Sequence, residues 1–250
     1  MKTTLLEICV DSVESARRAQ AGGADRLELC GHLMLGGVTP GPWLIRQVLR
    51  EVSIPVNVLI RPRFGDFCFE PEEKQQMLEE IADAVRAGAA GVVIGVLTPE
   101  GELDLPFLRS CMDAAGEANV TLHRCFDVCR DPFEALEQAK VLGIDTILTS
   151  GQCAAAPDGI ELLRRLREQA GKLHIMAGSG VNARNIPMIH AGTGITHYHL
   201  SGKHSEPGPM RFRREGVPMG LPMASEFHRQ YTDTVAVKDA ARVLAGLGSV

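Results

Sequence analysis

Glu7 and Cys9 stand two residues apart in "LLEICV", and Glu28 and Cys30 stand two apart in "RLELC". Alternate side chains of an extended strand share a face, so each run points one carboxylate and one thiol the same way. "PVNVLIRPR" does this with Asn57, Leu59, Arg61 and Arg63, and "NVTLHRCFD" with Thr121, His123, Cys125 and Asp127. "DTILTSG" adds Thr149, and "THYHLSG" adds His199 and Ser201. Such a set suits acid–base chemistry on an anion. His123 with Asp127, and Glu7 or Glu28, would exchange protons while Arg61 and Arg63 hold the negative charge. Arg61, Arg63 and Asp66 leave the end of an apolar run, "IPVNVLIRPRFGDF", where charges need partners. Glu7, Glu28 and Asp127 are the expected partners of the arginines. An ion-pair network closing the interior is the other role open to these groups, although a network of that size is costly to desolvate.

The sulfurs suggest a second chemistry. Cys9 and Cys30 fall at equivalent late positions of consecutive strands, where their sulfurs are placed to hold a soft ion such as Cu(I). A small buried apolar role is the alternative for each. None of the six lysines falls late in an inward strand, which argues against a Schiff-base mechanism. "AGSG" (Gly178, Gly180) and "SGK" (Ser201 to Lys203) follow the seventh and eighth strands, where barrels often hold a phosphate. Close packing of a tight turn would also require those glycines. Asn182 is placed to cap the helix that follows.

These residues need a scaffold that brings many strand ends together. Eight Val-, Ile- and Leu-rich runs alternate with amphipathic stretches such as "PEEKQQMLEEIADAVRAGA", in which Pro71 and its glutamates signal a helix start. Asp11 or Ser12 is suited to cap the helix after the first run. This pattern predicts an α/β fold, a single (β/α)8 TIM-type barrel over about residues 1–209, with a C-terminal helical extension over 210–250. "AGGADRLEL", "AGAAGVVIG", "LGIDTILTS" and "AGTGITHYH" echo one another about every two βα units, each with a glycine ending a helix. The tail from Met210, with its "VPMGLPM" loop, reads as strandless, with a final helix from about Ser225 folding over one end of the barrel.

Composition narrows the function classes. A net charge of −5 gives no basic footprint for nucleic acid, and no apolar run approaches membrane-spanning length. Seven irregularly spaced cysteines look like free thiols of a reducing cytoplasm. No organic cofactor is indicated.

"LLEICVDSVESARRAQAGGADRLELC", "GGVTP", "IRPRFGDFCF", "HRCFD", "LTSGQ", "IMAGSGV" and "MRFR" together resemble the CutC copper homeostasis family. The resemblance runs from about Leu5 into the tail. It implies a cytoplasmic TIM-type barrel, a homodimer or larger homo-oligomer, with copper(I) bound at Cys9 and Cys30. It also carries over a shared polar wall of Glu7, Glu28, Arg61, Arg63, Asp66, His123, Arg124, Asp127, Ser150, His199 and Ser201. Phe64 stands where the family commonly has glycine, which would narrow a pocket mouth, and Cys125 stands where it has alanine, adding an inward thiol. Leu200 and Gly202 also depart from the family pattern around Ser201. An enzyme of lyase or isomerase type, acting by acid–base chemistry on a small anionic metabolite, phosphorylated or not, is the alternative to a copper protein.

Overall fold

The eight apolar runs become eight parallel strands in a computed structural model that describes residues 4–217, 219, 221 and 225–247. They are β1 (Leu5–Val10), β2 (Arg26–Leu29), β3 (Val56–Leu59), β4 (Gly91–Ile94), β5 (Asn119–Leu122), β6 (Thr146–Thr149), β7 (His174–Ala177) and β8 (His197–Leu200). Each pairs with the next in sequence, and β8 pairs with β1 to close the barrel. Leu6, Ile8 and Val10 of β1 turn outward and are fully buried beneath helices, while Glu7 and Cys9 turn inward. The expected TIM-type barrel is therefore the observed fold.

Seven helices follow the first seven strands: α1 (Val13–Ala21), α2 (Pro42–Glu51), α3 (Pro71–Ala87), α4 (Leu105–Ala115), α5 (Pro132–Leu142), α6 (Ile160–Gln169) and α7 (Ile186–Thr193). Local chemistry sets their ends. Ser12 Oγ accepts from the Ser15 amide to start α1, and Glu70 and Glu73 form a capping box around Pro71 at the start of α3. Gly88 ends α3 at φ +98°, a conformation that favours glycine. The fourth sequence echo is out of register. Gly192 lies inside α7, where an added Cβ would sit 2.8 Å from Ile160 Cγ2, and Gly194 at φ +69° ends the helix instead.

The tail differs from its expectation. β9 (Lys203–Pro207) pairs antiparallel with β10 (His228–Thr232), so there is a strand beyond Met210. The final helix, α8 (Thr234–Leu247), begins at Thr234 rather than near Ser225. "HRQYT" is polar and carries no apolar run, so pattern reading passes over it. α8 packs against α1, α7 and β1 and completes the outer ring, rather than covering an end of the barrel. Residues 218, 220 and 222–224 of the "VPMGLPM" region lie outside the described residues.

Candidate functional site

Strand register gathers the site at the C-terminal mouth. Cys9 of β1 lies opposite Glu28 of β2, and Glu7 of β1 lies between Arg26 of β2 and His199 of β8. The donor atoms of Cys9, Glu28 and His199, all buried, fall within 4.8 Å of one another. His199 Nδ1 is 2.8 Å from Glu7 Oε1, which leaves Nε2 facing Glu28 Oε2 at 3.6 Å. Glu7 in turn accepts from Arg26 Nε at 2.5 Å. The Cys30 thiol donates to Glu28 Oε2 at 3.5 Å and packs with Cys9, Leu59 and Val93.

Burial and charge act against each other in this cluster. Burial favours a neutral Glu7, but Arg26 and His199 outweigh it and lower its pKa to about 2. Burial likewise disfavours an imidazolium at His199, yet the Cys9 sulfur, Glu28 and Glu7 hold that ring well above its ordinary pKa. Glu28 is raised by burial and by the neighbouring Glu7 charge. Burial, Glu28 and Cys9 push the Cys30 thiol well up.

A cavity of about 140 Å³ sits over this cluster, lined by Cys9, Glu28, Cys30, Arg61, Phe67, His123 and His199 among others. It meets a wider cleft of about 870 Å³ at Cys9, Leu33, Gly36, Arg124 and His199. Ser179, Gly180, Asn182, Ser201 and Lys203 line the cleft. The non-glycine residues with left-handed backbone among the described residues, His32, Gln152 and Ser179, all lie in loops at this same rim. Strained backbone of this kind clusters at functional sites.

The opposite wall is cationic. Arg61 Nη1 donates to the Gly37 carbonyl at 3.1 Å and Nη2 to the Gly65 carbonyl at 2.7 Å, with its guanidinium over the Phe67 ring. Phe67 also packs on His123, ring centroids 5.0 Å apart. Burial, with Arg61 nearby, lowers the His123 pKa to about 3, so the ring is neutral. An added Cβ at Gly95 would sit 2.3 Å from Cys125 Sγ and 2.5 Å from His123 Cε1. That glycine leaves room for the ring and the thiol just beyond the end of β4.

Several expected site residues are placed elsewhere. Arg63 turns away from the cavity, bound to Glu73 at 2.7 Å and to the exposed Asp66 at 3.1 Å, so this arginine and Asp66 fasten the loop before α3. Neither arginine meets Glu7, Glu28 or Asp127. Arg26, which shares a strand face with Glu28, is the missed partner of Glu7. Asp127 accepts from Arg124 Nε, the Thr149 hydroxyl and the amides of Ser150 and Gln152. It staples two loops and makes no hydrogen bond to His123 among the described residues, so it is not that ring's acid–base partner. Ser150 accepts from Arg124 Nη2 at 3.0 Å within the same staple. The Gly178 amide is already committed to the Thr149 carbonyl, and an added Cβ would meet Leu148 Cδ1 at 2.4 Å. Packing requires Gly178, and its amide is not offered to a ligand, whereas Gly180 and Ser201 do line the cleft. Asn182 does not cap α7; its Oδ1 accepts from the Arg184 amide. Phe64 is two-thirds exposed and lines neither cavity; Phe67 occupies the mouth instead. Cys125 is fully buried beside Gly95, outside both cavity walls.

The model of the CutC family matches residues 4–204. A family protein CutC of Bacteroides fragilis is 47% identical over 244 residues, covering 96% of each chain. The human copper homeostasis protein cutC homolog is 42% identical over 236 residues, covering 94% of this chain and 86% of its own. The crystal structure of CutC from Streptococcus agalactiae superimposes with a TM-score of 0.76 at 31% identity, covering 80% of this chain and 99% of that one.

Proposed function

The chain belongs to the CutC family, and from the chemistry of its inner cavity we propose that it binds copper(I) there as a copper homeostasis protein. The observation that carries this reading is the convergence of the Cys9, Glu28 and His199 donor atoms within 4.8 Å of one another. Thiolate and imidazole suit Cu(I). His199 is arranged as a metal-binding histidine, with one ring nitrogen held by a carboxylate and the other turned to the cavity. Cys9 and Cys30 supply the sulfurs and His199 Nε2 the imidazole. Binding releases the protons of both thiols and of His199 Nε2, and Glu28 Oε2 is placed to take the one from Cys30. A cytoplasmic setting, supported by seven free cysteines, and assembly as a homodimer or larger homo-oligomer belong to the same reading. No helix among the described residues is long and apolar enough to cross a membrane.

The test is an anaerobic competition titration of Cu(I) into reduced, metal-stripped protein. Tight one-to-one binding is expected in the wild type, lost in Cys9→Ser and weakened in His199→Gln and Cys30→Ser. Binding indifferent to Cys9 would overturn the proposal.

One observation favours a second reading, an acid–base enzyme for a small anion. His199 Nε2 and Glu28 Oε2 lie 3.6 Å apart at one cavity with both pKa values raised, so two titratable groups are placed to exchange a proton there.

A further inference from the structure

Two buried hydrogen-bond donors on one wall of the inner cavity have no acceptor. Arg61 is 8% exposed; its Nη1 and Nη2 are bound to carbonyls, but Nε has no partner. No carboxylate pairs with this guanidinium among the described residues. His123 is 5% exposed, and its Nδ1 accepts from the Cys125 amide at 3.1 Å. A neutral ring that accepts at Nδ1 carries its hydrogen at Nε2, and Nε2 is buried without a partner as well. Leaving such donors unpaired is costly, and an uncompensated buried cation is costlier still. Folded proteins seldom leave such groups unanswered, and these two line one cavity and pack on the same Phe67 ring.

We propose that this wall is a subsite for a carboxylate, with one small organic acid held by Arg61 Nε and His123 Nε2 inside the cavity. The two N–H groups supply donors to a planar, two-oxygen acceptor, and the charge of Arg61 is answered by the anion. Phe67, packed against both the guanidinium and the imidazole, fixes their directions in advance. Glu28 on the facing wall repels a second negative group at depth, so the remainder of the acid points outward past Arg124 toward the cleft. The subsite goes beyond copper and does not depend on it. It narrows the substrate class of the second reading, yet it stands without catalysis, since the test reads binding alone.

The experiment uses the full chain, reduced and metal-free, in chloride buffer, with acetate, malonate and inorganic phosphate as probes. Acetate or malonate is expected to raise the melting temperature saturably, and to shift the His123 Nε2–H signal of the labelled wild type over the same range. Arg61→Gln should weaken that binding by about tenfold or more, the loss of one charge-assisted hydrogen bond, whereas Arg63→Ala, outside the cavity, should leave it intact. An unmoved His123 signal in the wild type overturns the proposal whether or not the variant folds. Stabilisation that survives Arg61→Gln also overturns it, and Arg61-dependent binding of phosphate in place of both organic acids overturns the carboxylate assignment. Failure of the wild type to bind Cu(I), with its carboxylate response retained, would instead count against the copper reading alone.

Discussion

Glu7 joins Arg26 and His199 across the β8–β1–β2 seam, with its two carboxylate oxygens divided between them: 2.5 Å to Arg26 Nε and 2.8 Å to His199 Nδ1. It lies behind the cavity rather than on it, and its work is to orient a ring that does reach the cavity. Removing one member of a buried pair leaves the other charge uncompensated, at about 3–5 kcal/mol. Glu7→Gln is therefore expected to lower stability by that order in urea unfolding, with Arg26→Met similar. The double variant should recover part of the loss, because no lone charge is left. Losses that simply add would show that the two side chains are not a unit.

Arg63 sits next to the cavity in sequence and outside it in space. Arg63→Ala breaks exposed contacts to Asp66 and Glu73, worth about 0.2–1 kcal/mol. Cu(I) and acetate affinities should both stay within about twofold, a change below roughly 0.5 kcal/mol. A large loss of either in titration would put Arg63 back in the binding wall.

Gly95→Ala tests the packing beneath His123. The new methyl would overlap Cys125 Sγ and the imidazole, and overpacking of this kind costs about 1–3 kcal/mol. Denaturant unfolding should show that loss. The displaced ring should also weaken any carboxylate response, whereas Gly143→Ala, strained at φ +81° but remote from the mouth, should destabilise without touching it.

His123 has a pKa of about 3 in the folded protein, against about 6.5 for an ordinary histidine. Between those values the unfolded chain binds a proton that the folded chain refuses, so acid favours unfolding. This contribution is fully present above about pH 6.5 and is lost as pH falls toward 3. His197, lowered to about 4 chiefly by burial, acts in the same direction. The melting temperature of the wild type should therefore fall relative to that of His123→Phe as pH drops across this range. Parallel curves would mean that His123 is accessible to protons in the native state.

The barrel was legible because strand alternation and helix periodicity are local properties, and all eight apolar runs became strands. The site was legible only as far as the strands extend. Alternation places Glu7, Cys9 and Glu28 correctly, since β1 and β2 contain them. It fails at Arg63 and Asp127, because β3 ends at Leu59 and β5 ends at Leu122, after which the chain turns. Arg124–Val128 forms a single short 3-10 turn, which sends Asp127 toward β6 instead of inward. The pairing of Cys9 with Glu28 depends on inter-strand register, which no single run encodes. Arg26 opens "RLELC" on the same face as Glu28, at a position where a charge ahead of an apolar run reads as an exposed strand start.

The last helix has a consequence for how the protein is made. Within the barrel β1 is synthesised before the other strands, but α8 is part of what covers its outer face, and α8 comes after the β9–β10 hairpin. Gly22, at the end of α1, leaves room for Val237 of α8; an added Cβ would lie 2.6 Å from the Val237 Cβ. Until Leu247 has been translated, the apolar side of β1 lacks part of its cover, so an emerging chain cannot complete its barrel one βα unit at a time. β1 waits for α8, and in that interval part of its apolar face is open to water.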